Sequence, residues 1–369
     1  MFLMNSMLLV FPSAFSVNKI SSLQSNVKEA LEANGINCKN IFVEDSLVIA
    51  DVDDAISAAS VAKDLFGVEK VAVANRTGNK FNELVSALVD TGKKIIHRGD
   101  TFSVKVITKG TQYVGRDVEF ATTASLMGEL SGIDAKVVNE NGSKLLYAYA
   151  SRDTAYVCMF IDKGVGGLPT CSQNETVLCS VYDDLSALSC LLIIKNGFIP
   201  RIVLLKGEDN VRVAARNLDV IARKLGKKRL KIEMATVDIP SSDLRSLLME
   251  KLSAIILAKL AAQYKIGFVA LPLTASHPPR FVSELVQVVA KTAAPMLPLM
   301  FMDDLGSAAH VLGLDGLIDS SVTNFDQLYA KLKTVDINDI AVRAIESARS
   351  IDLEVGPNYL HDVIDSVTI

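Results

Sequence analysis

From about Cys171 onward the chain alternates short apolar, β-rich runs with longer amphipathic ones. Strands are expected at 175–180, 201–205, 230–236 and 267–271, and helices at 184–195, 210–225, 241–264 and 279–291. Strands this apolar are buried on both faces, and parallel neighbours need helical crossovers, so the pattern predicts a parallel sheet with helices on both sides. Ser241-Ser242-Asp243 supplies cap-like residues for the third helix, and Pro279 suits the first turn of the fourth. Ligands in such folds sit beyond the carboxyl ends of the strands.

The first 75 residues follow a different order. A short apolar run at 7–12 precedes a helix at 21–33 that ends at Asn34-Gly35, a good C-cap pair. Runs at 40–43 and 46–50 read as a hairpin around Glu44-Asp45. An amphipathic stretch at 53–66 stops at Gly67, and 69–74 closes the segment as a strand. That β-α-β-β-α-β order is the ferredoxin-like arrangement. A second segment, 76–170, offers helices at 82–89 and 117–130 and a strand at 101–108. A hairpin at 145–150 and 154–161 turns at Ser151-Arg152-Asp153. At 369 residues the chain exceeds one typical domain. Three are expected, at 1–76, 77–170 and 171–369.

Half of the residues are apolar, enough to offset chain entropy, which excludes a disordered chain. The five cysteines, Cys38, Cys158, Cys171, Cys179 and Cys190, form no C-x-x-C pair and no plausible disulfide framework, so a reducing cytoplasm is expected. Cys179 and Cys190 read as small buried hydrophobes, and the spacing of the last three lacks metal-ligand character. The apolar start lacks a cationic region and is broken by Asn5 and Pro12, so it reads as a first strand and not as a signal peptide. No stretch approaches the ~18 apolar residues of a membrane helix.

A net charge of -4 excludes a uniformly basic coat, so any nucleic-acid contact must be local. Between Arg76 and Arg116 stand eight basic residues: Arg76, Lys80, Lys93, Lys94, Arg98, Lys105, Lys109 and Arg116. Only Glu83, Asp90 and Asp100 oppose them. Gathered on one surface these cations would neutralise phosphates and release counterions; dispersed, they are a solvated face. A second basic stretch comprises Arg212, Arg216, Arg223, Lys224, Lys227, Lys228, Arg229 and Lys231. It reads as an extension of the RNA surface or, by preference, as an ordinary helix end with favourable dipole charge.

The segment Gly164-Val165-Gly166-Gly167-Leu168-Pro169 follows an apolar β-run, the 101–106 strand and the 117–130 helix. In that context it resembles the end of a THUMP domain. Over the whole chain, the order of elements resembles the THUMP-domain tRNA 4-thiouridine sulfurtransferases. The resemblance implies an α+β N-terminal half, ferredoxin-like plus THUMP, followed by an α/β Rossmann-like pyrophosphate-loop domain. It also implies tRNA as partner, read by shape and phosphates chiefly at the acceptor end. The RNA contacts it implies are Lys93, Lys94, Arg98, Lys105, Lys109 and Arg116, with Gly164, Gly166 and Gly167. By conformation alone those glycines equally suit a plain interdomain turn.

The same resemblance implies a Ser-Gly-Gly-x-Asp-Ser loop that closes around ATP phosphates at a helix N-terminus. This chain instead has Ser180-Val181-Tyr182-Asp183-Asp184-Leu185-Ser186. Ser180, Asp183, Asp184 and Ser186 remain as a degenerate nucleotide loop; the glycine pair is gone. Asp183 adds a negative charge, and two like charges about 4 Å apart repel by roughly 1–4 kcal/mol. A Mg²⁺ bridging Asp183 or Asp184 would reverse that sign, whereas the plainer role for either is to cap the next helix. His277, in a loop followed by two prolines, reads as a loop residue near a helix start or as an acid or base. The family's sulfur-carrying cysteine near the end of this domain has no counterpart, since no cysteine follows Cys190. No catalytic residue is therefore assigned. The expectation is a tRNA-binding protein with impaired or lost catalysis. The alternative is an active ATP-dependent sulfurtransferase that adenylates uridine and takes sulfur from a separate carrier protein. A homodimer partner also stays open.

Overall fold

The computed structural model describes residues 6–140, 142–207, 210–227, 229–239, 244–314, 325–332 and 335–354. The chain divides into two compact units: residues 1–63 with 68–164, and residues 64–67 with 165–369.

The first unit opens with β1 (Ser6–Pro12), α1 (Ile20–Ala33), β2 (Cys38–Glu44), β3 (Leu47–Val52), α2 (Ala55–Ala62) and β4 (Val68–Thr77). Local chemistry sets these boundaries. Asp45 and Ser46 both take positive φ in the two-residue turn of the β2–β3 hairpin. The Asp54 carboxylate caps α2 by accepting from the N–H groups of Ile56 and Ser57. The strand order β2-β3-β1-β4 is the ferredoxin-like order expected. The unit continues with α3 (Phe81–Ile95), β5 (Thr101–Thr108), α4 (Gly115–Glu129), β6 (Lys136–Val137), β7 (Lys144–Ala150) and β8 (Ala155–Gly166). All eight strands share one sheet, in which β8 lies beside β4. Alternation along β7 separates two cores. Leu146, Ala148 and Ala150 join α3 and α4 in one, while Tyr147 and Tyr149 join Leu9, Ile49 and Ala72 in the other.

The second unit holds β9 (Thr176–Val181), α5 (Asp184–Lys195), β10 (Ile199–Lys206), α6 (Val211–Leu225), β11 (Arg229–Thr236), α7 (Arg245–Tyr264) and β12 (Phe268–Ala270). It goes on with α8 (Pro279–Ala290), β13 (Ala294–Met296), α9 (Leu305–Leu312), α10 (Phe325–Leu332), α11 (Ile337–Glu346) and β14 (Arg349–Glu354). The strand order is β13-β12-β9-β10-β11-β14, parallel through β11. The edge strand β14 is antiparallel to β11. Both faces are covered, as the apolar runs required. Val177, Cys179 and Val181 of β9 pack on the α5 and α6 side, and Leu178 packs with α7 and α8 on the other.

Three features differ from the sequence reading. The helix expected to reach Phe66 stops at Ala62, because Phe66 is fully buried in a core of the second unit. The β8 strand runs on through Gly164 to Gly166 instead of ending at residue 161. Helix α7 begins at Arg245; the cap-like Ser241-Ser242-Asp243 lie outside the described residues, as do Lys228 and the first five residues. No helix among the described residues is long and apolar enough to cross a membrane.

Candidate nucleic-acid interface and nucleotide loop

In the first unit, three connections meet beside the end of β4: residues 78–80, the β5–α4 loop, and the β7–β8 turn. They line a cleft of about 710 Å³ bounded by Asn79, Lys80, Phe81, Gln112, Tyr113 and Arg152. Hydrogen bonds hold its walls together. Tyr113 Oη donates to Asn79 O at 2.7 Å, Asn79 Nδ2 donates to Arg152 O, and Arg76 Nη2 donates to Thr154 Oγ1 at 3.2 Å. Phe81 and Tyr113 meet edge to face with centroids 5.7 Å apart. Lys80 is 82% exposed, with Glu83 at 3.7 Å, a separation at which a solvated pair leaves the lysine's field open to a ligand. Arg152 is exposed on the opposite wall. At the neighbouring hairpin, Lys109 Nζ donates to Asp45 O at 2.8 Å.

The basic residues singled out in the sequence do not form one patch. Lys93 and Lys94 lie in the last turn of α3, and Arg98 just after it. Lys93 pairs with Glu129, in the last turn of α4, at 2.9 Å. Arg116 lies in the first turn of α4, about 20 Å away along a helix rising 1.5 Å per residue. Lys105, on β5, comes within 4.0 Å of Glu119. The Arg116 end is therefore the one near the cleft. Arg152, Asn79 and Gln112 escaped the sequence reading, which took Arg152 for a turn residue; a cation at a hairpin tip beside a basic window was the available signal.

Two of the three glycines permit close packing and the third a left-handed turn. A Cβ on Gly164 would strike Val68 O, and one on Gly167 would stand 2.6 Å from Lys195 O. Gly166 has positive φ, and its carbonyl accepts from Gly67 N–H at 2.8 Å. Three residues of the second basic stretch are neutralised within their own unit. Arg216 pairs with Asp184, Arg223 with Asp219, and the buried Lys224 with Asp64. Arg229 and Lys231 lie opposite Glu354 and Asp352 across the β11–β14 ladder.

In the second unit, the loop at the carboxyl end of β9 is closed by its own side chains. Asp183 is the N-cap of α5, and its carboxylate accepts from Ser186 N–H at 2.8 Å. Ser186 Oγ accepts from the N–H groups of Tyr182 and Asp183, both at 3.0 Å. Ser180 is not in the loop at all. It sits in β9 facing α7, where Ser253 Oγ donates to its hydroxyl at 2.7 Å. Asp184 is held by Arg216.

Behind the loop lies a buried ionisable cluster. Burial, and then the charges of Glu250 and Asp184, push the Asp183 carboxyl up to about 6, although its bonds to Ser186 oppose that. Glu250 of α7 stands 3.2 Å from His277 Nε2. The Thr274 N–H donates to His277 Nδ1 at 3.0 Å, which requires a lone pair there, so the proton shared with Glu250 is on Nε2. Burial opposes a charged imidazole, yet the hydrogen bond and charge of Glu250 raise its pKa above the ordinary value. His277 is thus a buried structural partner of Glu250. Among the described residues, Tyr182 Oη and Asn217 Oδ1 are buried around this loop with no hydrogen-bond partner.

Among the described residues, the Tyr182–Ser186 loop does not fit the phosphates of a nucleotide. Its N–H groups of Tyr182, Asp183 and Ser186 are taken internally, the glycine pair is absent, and a carboxyl raised by burial stands at the helix N-terminus. Among the described residues, no group of three His, Cys, Asp or Glu side chains could hold a metal ion. Cys179 and Cys190 are fully buried in the α5-side core.

No family model matches the chain. It is 26% identical over 178 residues to a probable tRNA sulfurtransferase of Methanosarcina mazei, covering 47% of this chain and 44% of that protein. A probable tRNA sulfurtransferase of Methanosarcina acetivorans is 26% identical over 225 residues, or 59% and 54% of the two chains. The chain thus spans about half the length of the curated relatives it matches. Among solved structures, a 4-thiouridine synthetase in complex with RNA and with ATP bound superposes with a TM-score of 0.66 at 15% identity. That match covers 95% of this chain and all of the other, and shows a common fold over the matched length.

Proposed function

We propose, for a chain related by sequence and by fold to the THUMP-domain tRNA 4-thiouridine sulfurtransferases, that it binds tRNA through its first unit and does so without ATP-dependent catalysis. The observation that carries this reading is the cleft between Lys80 and Arg152, open to water and walled by polar groups. Lys109 and Arg116 extend it along the α4 entrance. A concave cationic surface with one aromatic pair suits backbone and shape recognition of folded RNA better than base stacking along a single strand. On this reading residues 77–170 carry the RNA and the acceptor end lies nearest the cleft. The closed loop at Asp183 supports the loss of nucleotide chemistry.

Titrating tRNA at a series of salt concentrations tests the binding. About four phosphate contacts predict a slope of about −3 to −4 for log affinity against log salt. Absence of binding, or a flat slope, removes the proposal.

A further inference from the structure

Within the first unit, the β2–β3 hairpin reaches the turn that carries Arg152. Glu44, the last residue of β2, is half-buried, and its carboxylate accepts from Ser151 Oγ and, at 3.1 Å, from Tyr156 Oη. Ser151 and Tyr156 are both buried, so the carboxylate is moored to the core. The Ser151 hydroxyl has one proton to give and also lies 3.0 Å from Thr154 O. That carbonyl already accepts from Ser151 N–H at 2.7 Å, and a carboxylate is the stronger acceptor, so the proton goes to Glu44. The Ser151 oxygen in turn accepts from Thr154 N–H at 3.1 Å, which closes the turn at its base. Only Arg152 and Asp153, between the two buried ends, are exposed.

The tip of the same hairpin holds a second cation. Asp45 and Ser46 take φ of 49° and 70°, and in that left-handed turn the Asp45 carbonyl accepts from Lys109 Nζ at 2.8 Å. A carboxylate so near a cationic cleft opposes phosphate binding through its charge. The hydrogen bonds of Glu44 act the other way, by fixing the turn. We propose that Glu44 is a positioning residue for RNA: through Ser151 it fixes the wall from which Arg152 meets phosphate, while Asp45 orients Lys109 beside it. The proposal rests on the reading of the cleft as the RNA site. It gives a hairpin of the first 76 residues a share in RNA binding without a phosphate contact of its own.

Titrations of tRNA into the full chain at several salt concentrations test this, with circular dichroism as the fold control. Glu44→Ala should weaken binding about three- to tenfold and lower the salt slope by about one, as Arg152→Ala does. Combining the two should cost no more than Arg152→Ala alone, because both act through one side chain. Glu44→Gln should stay within about twofold of the wild type, since its amide accepts from Ser151 and donates to Tyr156 Oη. Ser151→Ala, which cuts the contact from the turn's side, should repeat the Glu44→Ala loss. Higher affinity in both Glu44 variants would make the residue a repulsive charge only and overturn the proposal. So would an unchanged Glu44→Ala, or losses that add fully in the double variant. If Arg152→Ala binds as the wild type does, the cleft reading fails and takes the proposal with it. A loss in Arg152→Ala with none in Glu44→Ala sinks the proposal alone.

Discussion

The two units place charge around their loops in opposite ways. In the first, Lys80 and Arg152 line a cleft and are exposed, Lys80 with a solvated glutamate at 3.7 Å. In the second, Arg216, Arg223 and Lys224 are each tied to a carboxylate of their own unit, Glu250 is buried, and Asp183 is half-buried with its carboxylate bonded to Ser186 N–H. Both regions look basic or acidic in the sequence. The lesson is that a run of charges becomes a binding surface only where the fold leaves those charges without internal work. Neutralised charge contributes to the fold; exposed charge on a concave wall is free to meet a ligand.

The comparison can be broken first at Phe66. Though it lies among the first 76 residues, it belongs to a core of the second unit. Phe66→Ala should cost about 3–5 kcal/mol there. Hydrogen exchange read separately for the two units should show faster exchange in the second and none in the first. Loss of protection in β1–β4 instead would mean the division is wrong.

Asp183 gives the next largest effect. Its folded pKa of about 6 lies above the ordinary carboxylate value, so the folded state binds the extra proton. Its contribution therefore destabilises the unit above about pH 6 and fades as pH falls toward 4. A two-unit displacement corresponds to about 3 kcal/mol at most. The raised His277 acts in the same direction, since its contribution is lost as pH rises through its folded pKa. Asp183→Asn keeps a capping side chain and removes the charge. Thermal melts should find it more stable than the wild type at pH 8, with the advantage shrinking steadily as pH falls through 6 and largely gone at about pH 3. Equal pH profiles for the two proteins would show that Asp183 is not the strained group.

Lys80→Ala and Arg152→Ala should each weaken tRNA binding about three- to tenfold and reduce the salt slope by about one. Arg223→Ala, already paired with Asp219, should leave both unchanged. Equal losses from all three would erase the contrast between the units. The smallest effect is expected at Lys93→Ala. Its exposed pair with Glu129 is worth at most about 1 kcal/mol, and chemical denaturation should register little or nothing.

Much of this was legible from residues alone. The alternation of apolar strand runs with amphipathic helical ones beyond Cys171 indicated the two-faced parallel sheet, and Asn34-Gly35 marked the end of α1. Asp183 could be read as a cap, because cap preference is local chemistry. What the residues did not reveal depends on long-range partners. Lys93 and Arg116 look adjacent in a basic window, yet a helix separates them. Arg152 joins Lys80 only through a hairpin that brings residues 79 and 152 together. Ser180 both ends the expected 175–180 strand and opens the loop motif, and nothing local names Ser253 as the partner that holds its hydroxyl. Glu250 stands at a core position of an apolar helix, which is a flag for a buried partner, but nothing local names His277. The antiparallel β14 is likewise set by its partner strand and not by its own composition.

The central claim is binding of tRNA without nucleotide. A titration of tRNA into the full chain, with and without millimolar MgATP, addresses it most directly. The account predicts one salt-dependent affinity that MgATP does not change, and no saturable heat when MgATP is added alone. Saturable MgATP binding, with an accompanying change in tRNA affinity or formation of an adenylated RNA, would contradict it.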